Sequence, residues 1–506
     1  MKASSYSIYG IFERNALYHG KETAWIDAQS QEQINFKQVK NQIDCIAGNL
    51  QSIGIAKGDR IGVVAQNHLS YFLLYGAAAA LGAIVLPVNW RLSADEIAYI
   101  LQDGAPKVVF TDPKFFEVLS SLQPELSSVS RWFSFSEGQD TFENFSVVQA
   151  DIAPFQPVDV SGDDGYVIIH TAAVAGHPRG ALLSHANLLW ANLQFMSLMN
   201  IDKQDVHLSL LPYFHVAGLF MAMACFHAGA LNINMAKFDA DQAVELIEKH
   251  EVSVMFDFTP ILNSILEAQD KTGRSIESLR AVTGLDTPET IEKYQNKTDG
   301  TFYSLYGQTE TSCITTLSPY NEKPGAAGRP VPMATVKLLD DHDHEVPPGH
   351  VGEITQRGPM VFKGYWNLPE DNAQVFRNDW HHTGDLGRFD ENGYLWYAGR
   401  KADKELIKPG GENVYPAEVE KVILEHPAVE QTVVFGVPDP KWKEGIKAVC
   451  VLNPDETLTA QELIDFVGQR IARYKKPQYV EFTTELPVDR NGNIDRDLVK
   501  KYFFNE

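Results

Sequence analysis

RIGVVAQNHLSYFLLYGAAAALGAIVLPVNWRLSADEIAYILQDGAPKVVFT, residues 60–111, decides the architecture. RIGVV (60–64), AIVLP (83–87) and KVVFT (107–111) are short, β-rich apolar runs of strand length. A helical pattern starts at His68 between the first two, and another covers residues 94–102. Strand, helix, strand, helix, strand in that order requires crossover connections, so the strands are parallel and helices cover the sheet. The alternation continues through most of the chain, with no internal repeat and no low-complexity tract.

Two apolar runs imitate membrane spans. YFLLYGAAAALGAIVLP (71–87) is too short, and residues 208–230 are broken by Pro212, His215 and Gly218. The first reads as a buried helix and the second as strand, loop and helix. The N-terminal residues 1–9 contain no long apolar stretch, so no signal peptide is expected. With 506 residues the chain is too long for one core, and 44% hydrophobic against 22% charged residues is a globular balance. A net charge of −23 repels phosphate backbones, which argues against nucleic acid. Cys45, Cys225, Cys313 and Cys450 are scattered and form no CxxC pair, as expected of a reduced, cytoplasmic chain. Oligomeric state is not readable, and a homo-oligomer stays open.

Near residue 400 the texture changes. Residues 399–408 are dense in charge, and Pro409-Gly410-Gly411 follows, as in an interdomain linker. Beyond it the pattern gives a helix (418–425), two strands (431–436 and 448–453), a helix (460–473) and a closing segment with Pro477 and Pro487.

Three stretches carry chemistry. TAAVAGHPRG (171–180) follows the strand YVIIH (166–170) and precedes a helix opened by Ser184, His185 and Asn187. Small residues there let backbone N–H groups approach a phosphate, and Arg179 adds charge. Taken alone, such a loop is more often a plain surface turn. YGQTE (306–310) is delivered by a strand at 301–305. Its aromatic-Gly pair can sandwich a base, Thr309 can reach a phosphate and Glu310 can hold Mg²⁺. An ordinary turn explains these five residues equally well. WHHTGD (380–385) is followed by Gly393-Tyr394-Leu395 and Gly399-Arg400. An ionised Asp385 suits two ribose hydroxyls, and Arg400 suits phosphate. The alternative is a turn Asp and a solvated Arg. The pair His381-His382 does not make a zinc site, because adjacent residues rarely converge on one ion.

Taken in this order, with GGENVYPAEVE (410–420), these stretches resemble the adenylate-forming superfamily of acyl-CoA synthetases, firefly luciferase and peptide-synthetase adenylation domains. The similarity covers nearly the whole chain and is nearest to the branch that makes acyl- or aryl-CoA thioesters. It implies an α/β fold. A large N-terminal domain (1–400) of helix-covered sheets with a β subdomain is joined by a hinge segment (401–409) to a small mobile α+β C-terminal domain (410–506). It implies an AMP-forming ligase that uses ATP, Mg²⁺, CoA and a small carboxylic acid. By position, Thr171, Gly176 and Arg179 belong to the phosphate loop, and Gly284, Leu285, Asp286, Tyr306, Gly307 and Gln308 frame adenine. Thr309 touches phosphate, Glu310 holds magnesium, Asp385 holds ribose, and Arg400 lies near ribose and phosphates. His215 resembles the gate between acyl pocket and CoA tunnel, with Val216, Phe220, Phe256 and Phe258 lining the pocket. Gly410, Gly411 and Glu412 match the CoA-side hairpin, and Asp403 and Lys404 the hinge.

The chain departs from the family pattern in three places. Ala172, Ala173, Val174 and Ala175 replace hydroxyl residues, and Arg179 replaces a lysine. Two additional residues lie between Arg400 and Gly410. Asn493 stands where the family carries a catalytic lysine. Arg490, three residues upstream, is the nearest cation in the same loop that could replace it. These departures keep open a protein that binds acyl-adenylate or acyl-CoA, or an enzyme of the thioester half-reaction only.

Overall fold

The computed structural model describes all residues except 1–5, 151–152, 172–177, 402–405, 410–411, 441, 489–493 and 505–506. The chain makes two compact units. One comprises Met1–Trp90, Ile100–His170 and Gly180–Gly399. The other gathers Arg91–Tyr99, Thr171–Arg179 and Arg400–Glu506, so it takes in two short segments from before residue 400.

In the first unit, the apolar runs of residues 60–111 become neighbouring strands Arg60–Val64, Ile84–Pro87 and Val108–Thr111. The first pairs in parallel with both others. The helix between is Leu69–Leu81, started by the His68 side chain, which accepts from Tyr71 N, and ended by Gly82 at φ 67°. Among the described residues, these strands belong to an eight-stranded sheet. A nine-stranded sheet holds Val206–Ser209, Leu231–Asn234, Val254–Phe258, Ala281–Leu285 and Thr301–Tyr306 side by side and parallel. A five-stranded sheet includes Thr335–Leu339, Gly352–Arg357 and Trp380–Phe389, paired antiparallel. These are the helix-covered sheets and the β subdomain expected.

Helices Leu69–Leu81 and Val216–Ala228 are apolar all round because they are buried all round. Phe72 packs on Trp25 at 4.7 Å, Phe226 at 5.4 Å and Phe12 at 5.9 Å between ring centroids. Each helix has 13 residues, so at ~1.5 Å per residue each is about 20 Å long. No helix of the described residues is long and apolar enough to cross a membrane.

One local expectation holds only in part: the helix opened by Ser184, His185 and Asn187 is where the sequence put it, but a strand stands between it and the loop. The loop after Gly165–Thr171 does not lead into a helix. It returns into a strand, Arg179–Ser184, next to the first in the sheet. The helix His185–Leu198 starts only afterwards, because Ser184 and Asn187 close a reciprocal capping box that fixes its first turn. Ala181 and Leu183, excluded from that helix, are buried in the sheet instead. The loop is therefore a strand-to-strand connection, with no helix N-terminus directly behind it.

In the second unit, strands Val429–Asp439 and Lys443–Leu452 pair antiparallel, and Tyr479–Thr483 adds in parallel. Val434, Ile446, Ala448 and Cys450 pack on one side with Val419 and Ile423 of helix Pro416–Leu424 and Leu463 and Val467 of helix Ala460–Gly468. Val433, Phe435 and Val449 pack on the other with Val499 of helix Arg496–Phe503. The helix expected over 460–473 stops at Gly468, and Ile471 and Ala472 are buried beyond it. The closing strand and helix escaped the sequence reading, which saw only Pro477 and Pro487.

Lys475, like Lys447, is a buried cation of this unit. Its Nζ lies 2.5 Å from Glu96 and 2.8 Å from Glu418, and Glu96 also accepts from Ala472 N at 3.1 Å. Burial works against the ammonium, but Glu418, Tyr474 and Glu96 outweigh it and raise its pKa. Breaking such a group by removing one partner strands the others in a dry site. Lys475→Met is expected to lose about 3–5 kcal/mol of unfolding free energy of this unit, read from urea titration. A loss below about 1 kcal/mol would mark the group as effectively solvated.

Candidate active site

The site in the first unit is built on three strand ends. Val254–Phe258, Ala281–Leu285 and Thr301–Tyr306 run parallel, with Phe258 opposite Leu285 and Gly284 opposite Ser304. Crevices at the carboxyl ends of such strands are where open α/β sheets bind ligands. Gly284 has φ 150°, and a Cβ there would stand 1.9 Å from Asp257 O. A Cβ at Gly307 would stand 2.1 Å from Cys313 O. Both glycines are required by close backbone approach. Leu285, after Gly284, is exposed. Asp286 caps the turn that follows, its Oδ1 accepting from Thr287 N at 2.6 Å and Thr259 Oγ1 at 3.1 Å.

Tyr306, Gln308 and Asp385 come together from 77–79 residues apart. Asp385 Oδ2 accepts from the Tyr306 hydroxyl at 2.7 Å and from the Gln308 amide. Gln308 Nε2 also donates to Thr383 O at 3.1 Å. Oδ1 faces the Tyr397 hydroxyl at 3.5 Å. Asp385 is 2% exposed and sits within the strand Trp380–Phe389, so it is not a turn residue. His381 and His382, adjacent on that strand, go separate ways. His381 packs on Phe362 at 5.2 Å, and His382 Nδ1 lies 3.1 Å from Glu353.

Thr309 and Glu310 lie in a single 3₁₀ turn, both buried. The Tyr365 hydroxyl donates to Glu310 Oε1 at 2.7 Å, and no ion pair reaches this carboxylate among the described residues. A magnesium site of one carboxylate plus substrate phosphates and waters fits that donor set.

His215 is the N-cap of Val216–Ala228, its Nδ1 accepting from Ala217 N at 3.3 Å. Its ring meets Phe258 edge-on at 6.0 Å, and Phe258 meets Phe256 at 5.3 Å. Val216 and Phe220 are buried behind it in the same helix. The loop before His215 is pinned by Asn67, whose Nδ2 donates to Leu211 O at 2.7 Å and whose Oδ1 accepts from Tyr213 N at 2.9 Å.

In the second unit, Thr171 Oγ1 donates to Arg179 O at 3.4 Å. Arg400 Nη1 donates to the Tyr415 hydroxyl at 2.8 Å. Ile407 and Val414 bridge the two arms of the segment 407–414, and Glu412 pairs with Arg91. Gly176, Asp403, Lys404, Gly410, Gly411, Arg490 and Asn493 lie outside the described residues. Tyr365, Tyr397 and Asn67 escaped the sequence reading. Each meets a site segment 12 to 146 residues away, and only the fold brings them there.

Comparison with known proteins decides the family. The profile of the AMP-binding enzymes matches residues 12–366, and that of the AMP-binding enzyme C-terminal domain matches 418–493. The chain belongs to the AMP-binding enzymes, the adenylate-forming superfamily of AMP-forming acyl-CoA ligases. It is 32% identical to an indoleacetate–CoA ligase of Aromatoleum aromaticum, over 92% of this chain and 93% of that one. It is 30% identical to a feruloyl-CoA synthase of an Amycolatopsis species, over 93% and 94%. Among solved structures it is similar to a double mutant of o-succinylbenzoate CoA synthetase from Bacillus subtilis, bound to a product analogue. There the TM-score is 0.86 at 26% identity, with 98% of each chain covered. A fatty acyl CoA synthetase of Mycobacterium tuberculosis gives 0.74 at 29%, again over 98% of each.

Asp385 thus has two roles to separate, one in the fold and one toward ligand. Asp385→Ala leaves the Tyr306 hydroxyl and the Gln308 amide unpaired in a buried site, at about 1–3 kcal/mol, seen as a lowered melting temperature. ATP-dependent AMP release is expected to fall by a further tenfold to hundredfold below the melting transition, the worth of about 1.5–3 kcal/mol of charged hydrogen bonding. Unchanged ATP dependence with a lowered melting temperature would make Asp385 a structural residue only.

Proposed function

We propose that this chain is an AMP-forming acyl-CoA synthetase, catalysing carboxylic acid + ATP + CoA → acyl-CoA + AMP + pyrophosphate. The observation that carries the reading is the convergence of Glu310 and the Tyr306–Gln308–Asp385 group at the carboxyl ends of one parallel sheet, in a chain of this family. The first step forms a bond between a carboxylate oxygen and the α-phosphorus and breaks the bond to pyrophosphate. The second forms the thioester bond from CoA sulfur to the acyl carbon and expels AMP. Both depend on holding reactants in line and neutralising charge.

Asp385 takes the ribose hydroxyls, with Tyr306 and Gln308 orienting it. Gly284, Leu285, Asp286 and Gly307 offer backbone edges to the adenine, and Thr309 and Arg179 meet phosphate. By the family pattern Arg400 is assigned to ribose and phosphate, and His215 to the boundary between the acyl pocket of Val216, Phe220, Phe256 and Phe258 and the CoA approach. Gly410, Gly411 and Glu412 serve the CoA side, and Asp403 and Lys404 the hinge. Magnesium would be held by Glu310 and would neutralise the departing pyrophosphate. The aryl acids named in two relatives make an aromatic acid the first choice of substrate. The scattered cysteines suit the reducing cytoplasm.

Pyrophosphate–ATP exchange with a panel of acids tests the reading directly, and CoA-dependent AMP release completes it. Glu310→Gln is expected to slow exchange at least tenfold and to raise the magnesium needed for half-maximal rate. Thioester formation from supplied acyl-adenylate should be slowed far less, and equal slowing of both halves removes Glu310 from the magnesium site.

Asn493 supports a second reading, a chain that adenylates poorly. A pair of variants separates the two. If Arg490 replaces the missing lysine, Arg490→Ala cuts exchange by roughly tenfold to a thousandfold, the size of one charge-stabilising contact. If the site has lost adenylation, Arg490→Ala changes little and Asn493→Lys raises exchange from a low base.

A further inference from the structure

Asn192 is a buried polar side chain with no part in the machinery above. It is 0% exposed, and neither its amide nitrogen nor its oxygen has a hydrogen-bond partner among the described residues. Buried amides are normally paired at both ends, and an apolar residue would fill the same space without that penalty.

Its place follows from helix His185–Leu198, which runs against the direction of the neighbouring strands. Near the helix C-terminus, Met199 O accepts from Arg280 Nη1 at 3.0 Å, at the start of strand Ala281–Leu285. One turn back, the Phe195 ring meets Phe256 edge-on at 6.4 Å, midway along Val254–Phe258. Asn192 is three residues further toward the helix N-terminus, on the same face as Phe195 and ~4.5 Å higher along the axis. That is the level at which Val254–Phe258 ends, where Phe258 meets His215. The unpaired amide is therefore placed near the level of Phe258 and His215, on the helix face by which Phe195 meets Phe256, with the buried Leu188 and Leu189 one turn back on the same helix.

We propose that Asn192 selects the acid by hydrogen-bonding a polar group on an aromatic body, a phenolic hydroxyl or a ring N–H remote from the carboxylate. The inference rests on the acyl-pocket assignment made above. The phenylalanines supply flat apolar contact, and the amide can donate to an oxygen or accept from O–H or N–H. An acid lacking the group leaves the amide buried and unpaired in the complex, which is how such sites reject close analogues.

The test uses two acid pairs with the purified full chain, ATP and CoA, reading kcat/KM from AMP release. One pair is 3-(4-hydroxyphenyl)propanoic and 3-phenylpropanoic acid, the other indole-3-acetic and 1-naphthaleneacetic acid. The wild type is expected to favour the hydroxyl or N–H member of at least one pair by tenfold or more. Asn192→Leu should bring that ratio to about one by raising the rate with the apolar member, and Asn192→Ala should lower the ratio without that gain. A wild-type ratio within threefold for both pairs overturns the inference while leaving the ligase reading intact. So does an unchanged ratio in both variants, which would mean that a buried water satisfies the amide. If no acid releases AMP from the wild type, the ligase reading falls and this inference with it.

Discussion

Tyr213 is the joint on which the site depends. Its hydroxyl lies 2.9 Å from Ser209 Oγ and donates to Asn234 Oδ1 at 3.1 Å, joining two neighbouring strands of the nine-stranded sheet. Its backbone N–H goes to Asn67, which follows strand Arg60–Val64 of the eight-stranded sheet, and its carbonyl accepts from Tyr75 of the buried helix Leu69–Leu81 at 2.8 Å. Asn67 O in turn accepts from Asn234 Nδ2 at 3.2 Å. Every link is buried, and burial pushes the Tyr213 phenol well above its ordinary pKa, so it stays a donor. A satisfied network in a dry core is rigid, and a half-satisfied one is costly. Both large sheets are thereby fixed to the loop that ends at His215.

That rigidity matters because catalysis here is a matter of position. The chain carries a net charge of −23 yet is built to hold triphosphate and carboxylate. No general field attracts these anions, so donors must already stand where charge develops. The Tyr306–Gln308–Asp385 group is preorganised in this way, with two donors already fixed on one carboxylate oxygen. Glu310, held by the Tyr365 hydroxyl, is a single buried carboxylate of the kind a magnesium–phosphate complex would use.

The parallel architecture was legible in residues 60–111 because each strand there is a short, fully buried run with a helical pattern between, and nothing competes with that reading. TGD and YGQTE were legible as a pair through family resemblance, whereas their contact was not, because no periodicity encodes a hydrogen bond across 79 residues. Tyr365 and Tyr397 look like any aromatic residue near a glycine. Asn192 reads as an ordinary polar position in mid-helix, and only its burial makes it unusual. The closing strand Tyr479–Thr483 was missed because its five residues are all half-buried and lack an apolar run. The helix Arg496–Phe503 does carry an apolar stripe, Leu498, Val499, Tyr502 and Phe503, but at eight residues it makes only about two turns.

The strand Arg179–Ser184, which the sequence did not announce, bears on chemistry. A loop entering a helix offers a phosphate the free N–H groups and the positive end of the helix dipole. A loop closing between two paired strands offers neither, since strand N–H groups beyond it are committed to the sheet. Where the family pattern has hydroxyl side chains, this chain has alanine and valine, so a phosphate bound at this segment would rely on backbone N–H groups and on Arg179. A guanidinium suits that task better than an ammonium, because its fork grips two phosphate oxygens and it cannot lose its proton.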